Sequence, residues 1–190
     1  MTKWVHALFP MIAVTVGLAL TGCGGGSANN NPYGTVRGIA NINAAAETPR
    51  AETAFKDSGG IWQTLTSTNL NRPSSGWQDE NFDLQLPSPN GHDLCAVWVM
   101  NGASALGVYD GYLFFNSHTG LWELWQFSSG SSDILILSNA AQDNYGDLRI
   151  DAVNAQVKSA VSEKPHNVAT PDEVFQKLDD EIAGKRQRVQ

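Results

Sequence analysis

Between Thr35 and about Val153 the chain alternates short apolar runs with Gly, Asn, Ser and Pro, the rhythm of strands and turns. The cleanest alternation is Phe82-Asp83-Leu84-Gln85-Leu86, which sets Phe82, Leu84 and Leu86 on one face of a strand. Pro87 closes that strand, and Ser88-Pro89-Asn90-Gly91 supplies a turn. The next run, Leu94–Met100, is continuously apolar, as expected of an interior strand. Thr35–Ile42 and Ile61–Thr66 are less regular strand candidates.

A second β region reads as a meander of Leu106–Asn116, Leu121–Phe127, Asp133–Leu137 and Leu148–Ala152. Ser117–Gly120 and Ser128–Ser132 serve as its connections. Asp110-Gly111 offers a tight turn that would split the first of these strands; a continuous strand with a bulge is favoured over it. In Leu121–Phe127, Leu121, Trp125 and Phe127 share one face while Trp122 and Leu124 share the other. Both faces are largely apolar, and Tyr112-Leu113-Phe114-Phe115 repeats the feature, so something must cover the second side of the sheet.

The period then changes. Thr170-Pro171-Asp172-Glu173 combines a threonine N-cap, a proline at the first helical position and a glutamate at the third. Val174, Phe175, Leu178 and Ile182 form one helical stripe. Gly184 stands at a C-cap position, and Lys185, Arg186 and Arg188 suit the negative end of the helix dipole. This helix is the candidate cover. Val153, Val157 and Val161 predict a shorter helix before it, with Pro165 in the connection. The expected fold is therefore mainly β: sandwich-like sheets with a C-terminal amphipathic helix on or beside them.

The start of the chain follows another logic. Lys3 precedes an apolar stretch, Ala7–Leu20, whose fourteen residues would rise about 21 Å as a helix, short of a roughly 30 Å hydrocarbon core. A short basic start and an apolar segment have the form of a secretory signal. Leu20-Thr21-Gly22-Cys23 follows directly. This motif resembles the lipobox of bacterial lipoproteins. The resemblance implies cleavage between Gly22 and Cys23, a diacylglyceryl thioether on Cys23 and acylation of the new amino group. Sulfur is needed as the nucleophile toward the lipid donor. At about 0.8 kcal/mol per buried CH₂, two or three acyl chains anchor stably where one does not. Gly24 rather than aspartate after the cysteine implies the outer membrane where the host has one, and otherwise the outer face of the cell membrane. Residues Gly24–Gly34 have little to bury and read as a flexible tether with a reach of about 18–20 Å. The expected organisation is signal 1–22, lipidated cysteine and tether 23–34, β-rich domain 35–155 and helical segment 156–190.

Composition narrows the function. With 19 acids against 12 bases the net charge is -7, which argues against nucleic-acid binding. Residues 24–155 hold thirteen acids and five bases, so the β region carries the negative excess. Anionic headgroups repel such a domain, consistent with retention by lipid rather than by a basic face.

The segment NFDLQLPSPNGHDLCAVWV, with TVRGIANI as an opening strand, resembles carboxypeptidase regulatory-like domains over about residues 34–101. Those are prealbumin-like β-sandwiches without catalytic residues. Glu80-Asn81 departs from the family's Asp-Gly ahead of Phe82.

Catalytic and metal signals are weak. His92, His118 and His166 lack recognised zinc-ligand spacing, and no GxSxG, SxxK, HExxH or phosphate-binding glycine loop occurs. Asp143–Asp147 offers oxygen ligands without the EF-hand spacing. Cys95 shares strand parity with Val97 and Val99 and reads as a buried, inert thiol. No cofactor is expected. Trp62, Trp77, Trp98, Trp122 and Trp125 lie beyond the signal; tryptophans packed in both β layers are weighed against tryptophans stacking on sugars. Trp77 and Trp122 are the candidate stacking residues. The expectation is a lipid-anchored, non-catalytic envelope or surface module whose partner is the membrane plus a glycan or an envelope protein. A carbohydrate-binding module is the alternative and a hydrolase ranks third.

Overall fold

The computed structural model describes residues 31–142, 146–152 and 171–190. The signal, Gly22, Cys23, Thr170, His166, Asp143–Tyr145 and the helix expected over 153–161 lie outside the described residues. The strands are β1 (Thr35–Asn43), β2 (Pro49–Lys56), β3 (Trp62–Asn69), β4 (Trp77–Gln85), β5 (Leu94–Asn101), β6 (Ser104–Val108), β7 (Gly111–Asn116), β8 (Leu121–Gln126), β9 (Ser132–Leu137), β10 (Arg149–Asp151) and β11 (Gln187–Val189), with one helix, α1 (Pro171–Ile182).

Two sheets form. The smaller has the order β10-β1-β4, and the larger runs β11-β9-β8-β7-β5-β2-β3 with β6 also paired to β5. The alternation read at Phe82–Leu86 holds: Phe82, Leu84 and Leu86 are buried in the core between the sheets. There they meet Val36, Ala40 and Ile42 of β1, Cys95, Val97 and Val99 of β5, and Trp122 and Leu124 of β8. The strand–turn–strand segment around Pro87 crosses between sheets, because β4 pairs with β1 whereas β5 pairs with β2.

β6 and β7 run along the same edge of β5, with Val108 opposite Trp98 and Leu113 opposite Cys95. The register slips by two residues at Tyr109-Asp110, so the pair is one interrupted strand with a bulge rather than a hairpin. The meander expectation fails at its last member. Leu148–Ala152 leaves the larger sheet and pairs in parallel with β1 through Ile39, Ala40 and Asn41. Close approach of the two sheets fixes it there: a Cβ at Gly107 of β6 would lie 2.7 Å from the Asp151 carbonyl oxygen.

The second apolar face of the larger sheet is covered by α1. Ala54, Ala96, Trp98, Val108, Tyr112, Trp125 and Phe127 pack with Val174 and Leu178. Even positions of β5 face the helix and odd ones the other sheet, which is why Leu94–Met100 carries no polar alternation. Fully burying Val174 and Leu178 contributes about 1.5–3 kcal/mol each. Ile182, placed on the same stripe from sequence, is 51% exposed because the helix ends there. Gly184 follows in the left-handed region at φ 69°, as its C-cap position requires. The chain then returns as β11, parallel to β9, where the sequence pattern predicts none.

The folded module begins before Thr35. The Asn31 amide donates to the carbonyls of Gly34 and Leu86 at 2.9 and 2.8 Å, and Tyr33 packs edge-on against Phe115. Asn31–Gly34, expected in the tether, therefore belong to the module.

Candidate functional site

The tryptophans decide which surfaces are open to a ligand. Trp122 is 1% exposed, meets Phe115 edge-on at 5.4 Å and donates its indole N–H to the Pro87 carbonyl at 3.0 Å. A ring enclosed in this way cannot stack on a sugar, so Trp122 is not the ligand-stacking residue expected from sequence. Its strand parity was legible from sequence; that the second sheet lies over its face was not. Trp98 and Trp125 are buried as well. Trp62 is half-buried in an aromatic group with Trp98 and Phe175.

Trp77 is half-buried, packs at the margin of the inter-sheet core, and holds its indole N–H without a hydrogen-bond partner. It opens β4 opposite Asn43 and shares strand parity with Asp79, Asn81 and Asp83. Asp79, Asn81 and Asp83 form the polar face of the smaller sheet, whereas Trp77, at the start of the strand, packs toward the inter-sheet core. On the polar face Asn41 donates to Asp79 at 2.6 Å, and both terminal nitrogens of Arg149 reach Asp79 at 3.0 and 3.1 Å. Arg149 Nε also donates to Asp151 at 3.0 Å. The Arg149 and Asn41 hydrogen bonds hold the Asp79 carboxyl below the usual carboxylate range. The resulting surface offers amides, a fixed guanidinium and carboxylates.

The helix-covered face of the larger sheet carries a different set. Three buried carboxylates each accept from an aromatic donor. Trp98 Nε1 donates to Glu52 at 2.9 Å, Trp125 Nε1 to Glu123 at 2.9 Å, and the Tyr112 hydroxyl to Asp133 at 3.0 Å. Cations and further donors complete the pairing. Glu52 pairs with Arg50 and accepts from Thr64 at 3.0 Å, Glu123 accepts from Asn116 at 2.8 Å, and Asp133 accepts from Arg186 Nε at 2.7 Å. Polar aromatics thus bury their rings while their N–H and O–H groups stay satisfied. Nothing in the local hydrophobic pattern marks Glu52, Glu123 or Asp133, because each is matched by a donor from elsewhere in the chain or on an adjacent strand.

The remaining candidates are separated. His92 is half-buried and stacks on Phe55 with ring centres 3.5 Å apart, whereas His118 sits in the exposed turn before β8. Among the described residues, no three His, Cys, Asp or Glu side chains gather as metal ligands would. Cys95 is fully buried between the sheets, and burial, with the nearby Asp93 charge, pushes its thiol up to about 12. Such a thiol is a poor nucleophile at neutral pH.

No family model, curated protein or solved structure matches the chain.

Proposed function

We propose that the chain is an exported lipoprotein, held through acylated Cys23 at the outer membrane or, in a single-membrane host, at the outer face of the cell membrane. The module from Asn31 onward acts there as a non-catalytic binding or structural element. The observation that carries this reading is Leu20-Thr21-Gly22-Cys23 placed directly after an apolar segment too short to span a membrane. The module begins at Asn31, and the expected tether before it, Gly24–Asn30, would reach about 13–16 Å as a flexible chain. Metabolic labelling with a fatty acid tests the reading. The wild-type chain takes up label and Cys23→Ser does not; label on the serine variant, or none on the wild type, refutes it.

A glycan partner is the second reading, and the observations favouring it are the half-buried Trp77 at the start of β4 and the polar face that carries Asn41, Asp79, Asn81 and Arg149. Flat polar sheet faces bordered by an indole suit polysaccharide through stacking and hydrogen bonds. Pull-down on immobilised envelope glycans separates the readings: binding lost in Trp77→Ala supports the glycan, and equal retention by both proteins removes it.

A further inference from the structure

The turn that carries the chain from β4 to β5 holds an asparagine–glycine pair, Asn90-Gly91, at an exposed tip. His92 N–H donates back to the Pro89 carbonyl, so Asn90 and Gly91 are the central pair of a tight turn. Both have positive φ, 34° and 87°, and among the described residues Asn90 alone combines a side chain with that conformation. Ser88 Oγ donates to Asn90 Oδ1 at 2.8 Å and so polarises the side-chain amide toward nucleophilic attack. Gly91 supplies the nucleophile's side. Its N–H has no hydrogen-bond acceptor among the described residues, and a Cβ built on it would meet nothing within 4 Å. The backbone nitrogen is therefore open, and the chain around it has room to turn.

A second such pair, Asn101-Gly102, stands in a different setting. Asn101 closes β5, lies in register with Pro49 of β2 and Ser104 of β6, and accepts the Thr48 N–H on Oδ1 at 2.9 Å. Its backbone is held on both sides and its side chain is tied to another segment. Its amide carbon reaches the Gly102 nitrogen only when strand pairing opens, which costs more than opening a loop tip.

We propose that Asn90 is a self-modification site: the Gly91 backbone nitrogen closes on the Asn90 side-chain amide while the Ser88 hydroxyl stabilises the oxygen on which charge develops. Opening of the His92–Pro89 hydrogen bond frees the Asn90 backbone to turn. The Gly91 nitrogen gives its proton to solvent base and bonds to Cγ, and the Ser88 O–H meets the charge building on Oδ1. The Cγ–Nδ2 bond then breaks, and that nitrogen takes a proton from solvent and leaves as ammonia. A cyclic imide remains. Water adds to either of its carbonyls. Breaking the Cγ–nitrogen bond leaves aspartate; breaking the original backbone bond leaves isoaspartate, in which the chain runs through the side chain. Asparagine and water thus become an acid and ammonia, without oxidant or cofactor. Either product adds a carboxylate close to Asp93. Isoaspartate also inserts a methylene into the connection between the sheets, next to Asn31 and Tyr33, which contact Leu86 and Ser88 where the module begins.

Ageing of the full-length chain at 37 °C in heavy-oxygen water, followed by peptide mapping with mass spectrometry, tests this. The Asn90 peptide should take up heavy oxygen and separate into aspartate and isoaspartate forms, faster at pH 8.5 than at pH 7. Conversion at Asn90 should exceed that at Asn101 by about tenfold or more. Ser88→Ala should slow it about threefold or more, the worth of one hydrogen bond to a developing charge, and Ser88→Thr should restore it. An unmodified Asn90 peptide, aspartate without isoaspartate, or equal conversion at Asn101 overturns the site. Wild-type speed in Ser88→Ala overturns the role given to the hydroxyl. The wild-type mapping does not depend on any variant folding.

Discussion

Cys95 and Trp122 show how far a single position is governed by what lies over it. Cys95 is an ordinary strand residue in sequence, but full burial raises its thiol to about 12. In the unfolded chain that thiol ionises near 9, so stability should fall as pH climbs from about 9 toward 12. Tyr109 and Tyr112, also raised by burial, add to the slope above pH 10. Denaturant midpoints of wild type and Cys95→Ala should therefore converge between pH 9 and 10; a constant difference between them would contradict the burial account. Trp122→Ala removes a fully enclosed indole and should cost about 3–5 kcal/mol in urea unfolding. Trp77→Ala, at the margin of the core, should cost clearly less. Equal losses would mean that the two rings share one environment.

At the level of elements, the legible parts of the sequence were those whose partners are all of one kind. β4 alternates because one side meets the core and the other meets solvent; α1 has its stripe because it lies on a sheet. β2 has no legible strand pattern because Pro49-Arg50-Ala51-Glu52-Thr53-Ala54 buries two polar side chains, Glu52 and Thr53, that are matched by Thr64, Thr66 and Trp98 on other strands as well as by Arg50 beside them. β10 pairs in parallel with a strand about 110 residues earlier, a contact that no local period records. β11 is exposed along its length and exists through Arg186, Arg188 and the two acids they meet. Arg186→Ala would strand Asp133 as an uncompensated buried charge, at a cost of about 3–5 kcal/mol. Unfolding by urea gives the loss; a change under 1 kcal/mol would show that the pair does not hold β11 on β9.

For the whole molecule, the two-faced sheet is the organising feature. One side packs on the smaller sheet, the other on α1, and the requirement for a second cover was readable from Leu121–Phe127. Which tryptophans would remain open was not readable, because it depends on how far three strands extend over eight. The proposed role depends on the other end of the chain, where Cys23 would hold an acidic module that anionic lipid repels. Intact-mass analysis of the protein purified from its own membranes tests that attachment most directly. The account predicts an N-terminus at Cys23 carrying two or three acyl chains. A free thiol at Cys23, or a chain that still begins at Met1, would contradict it.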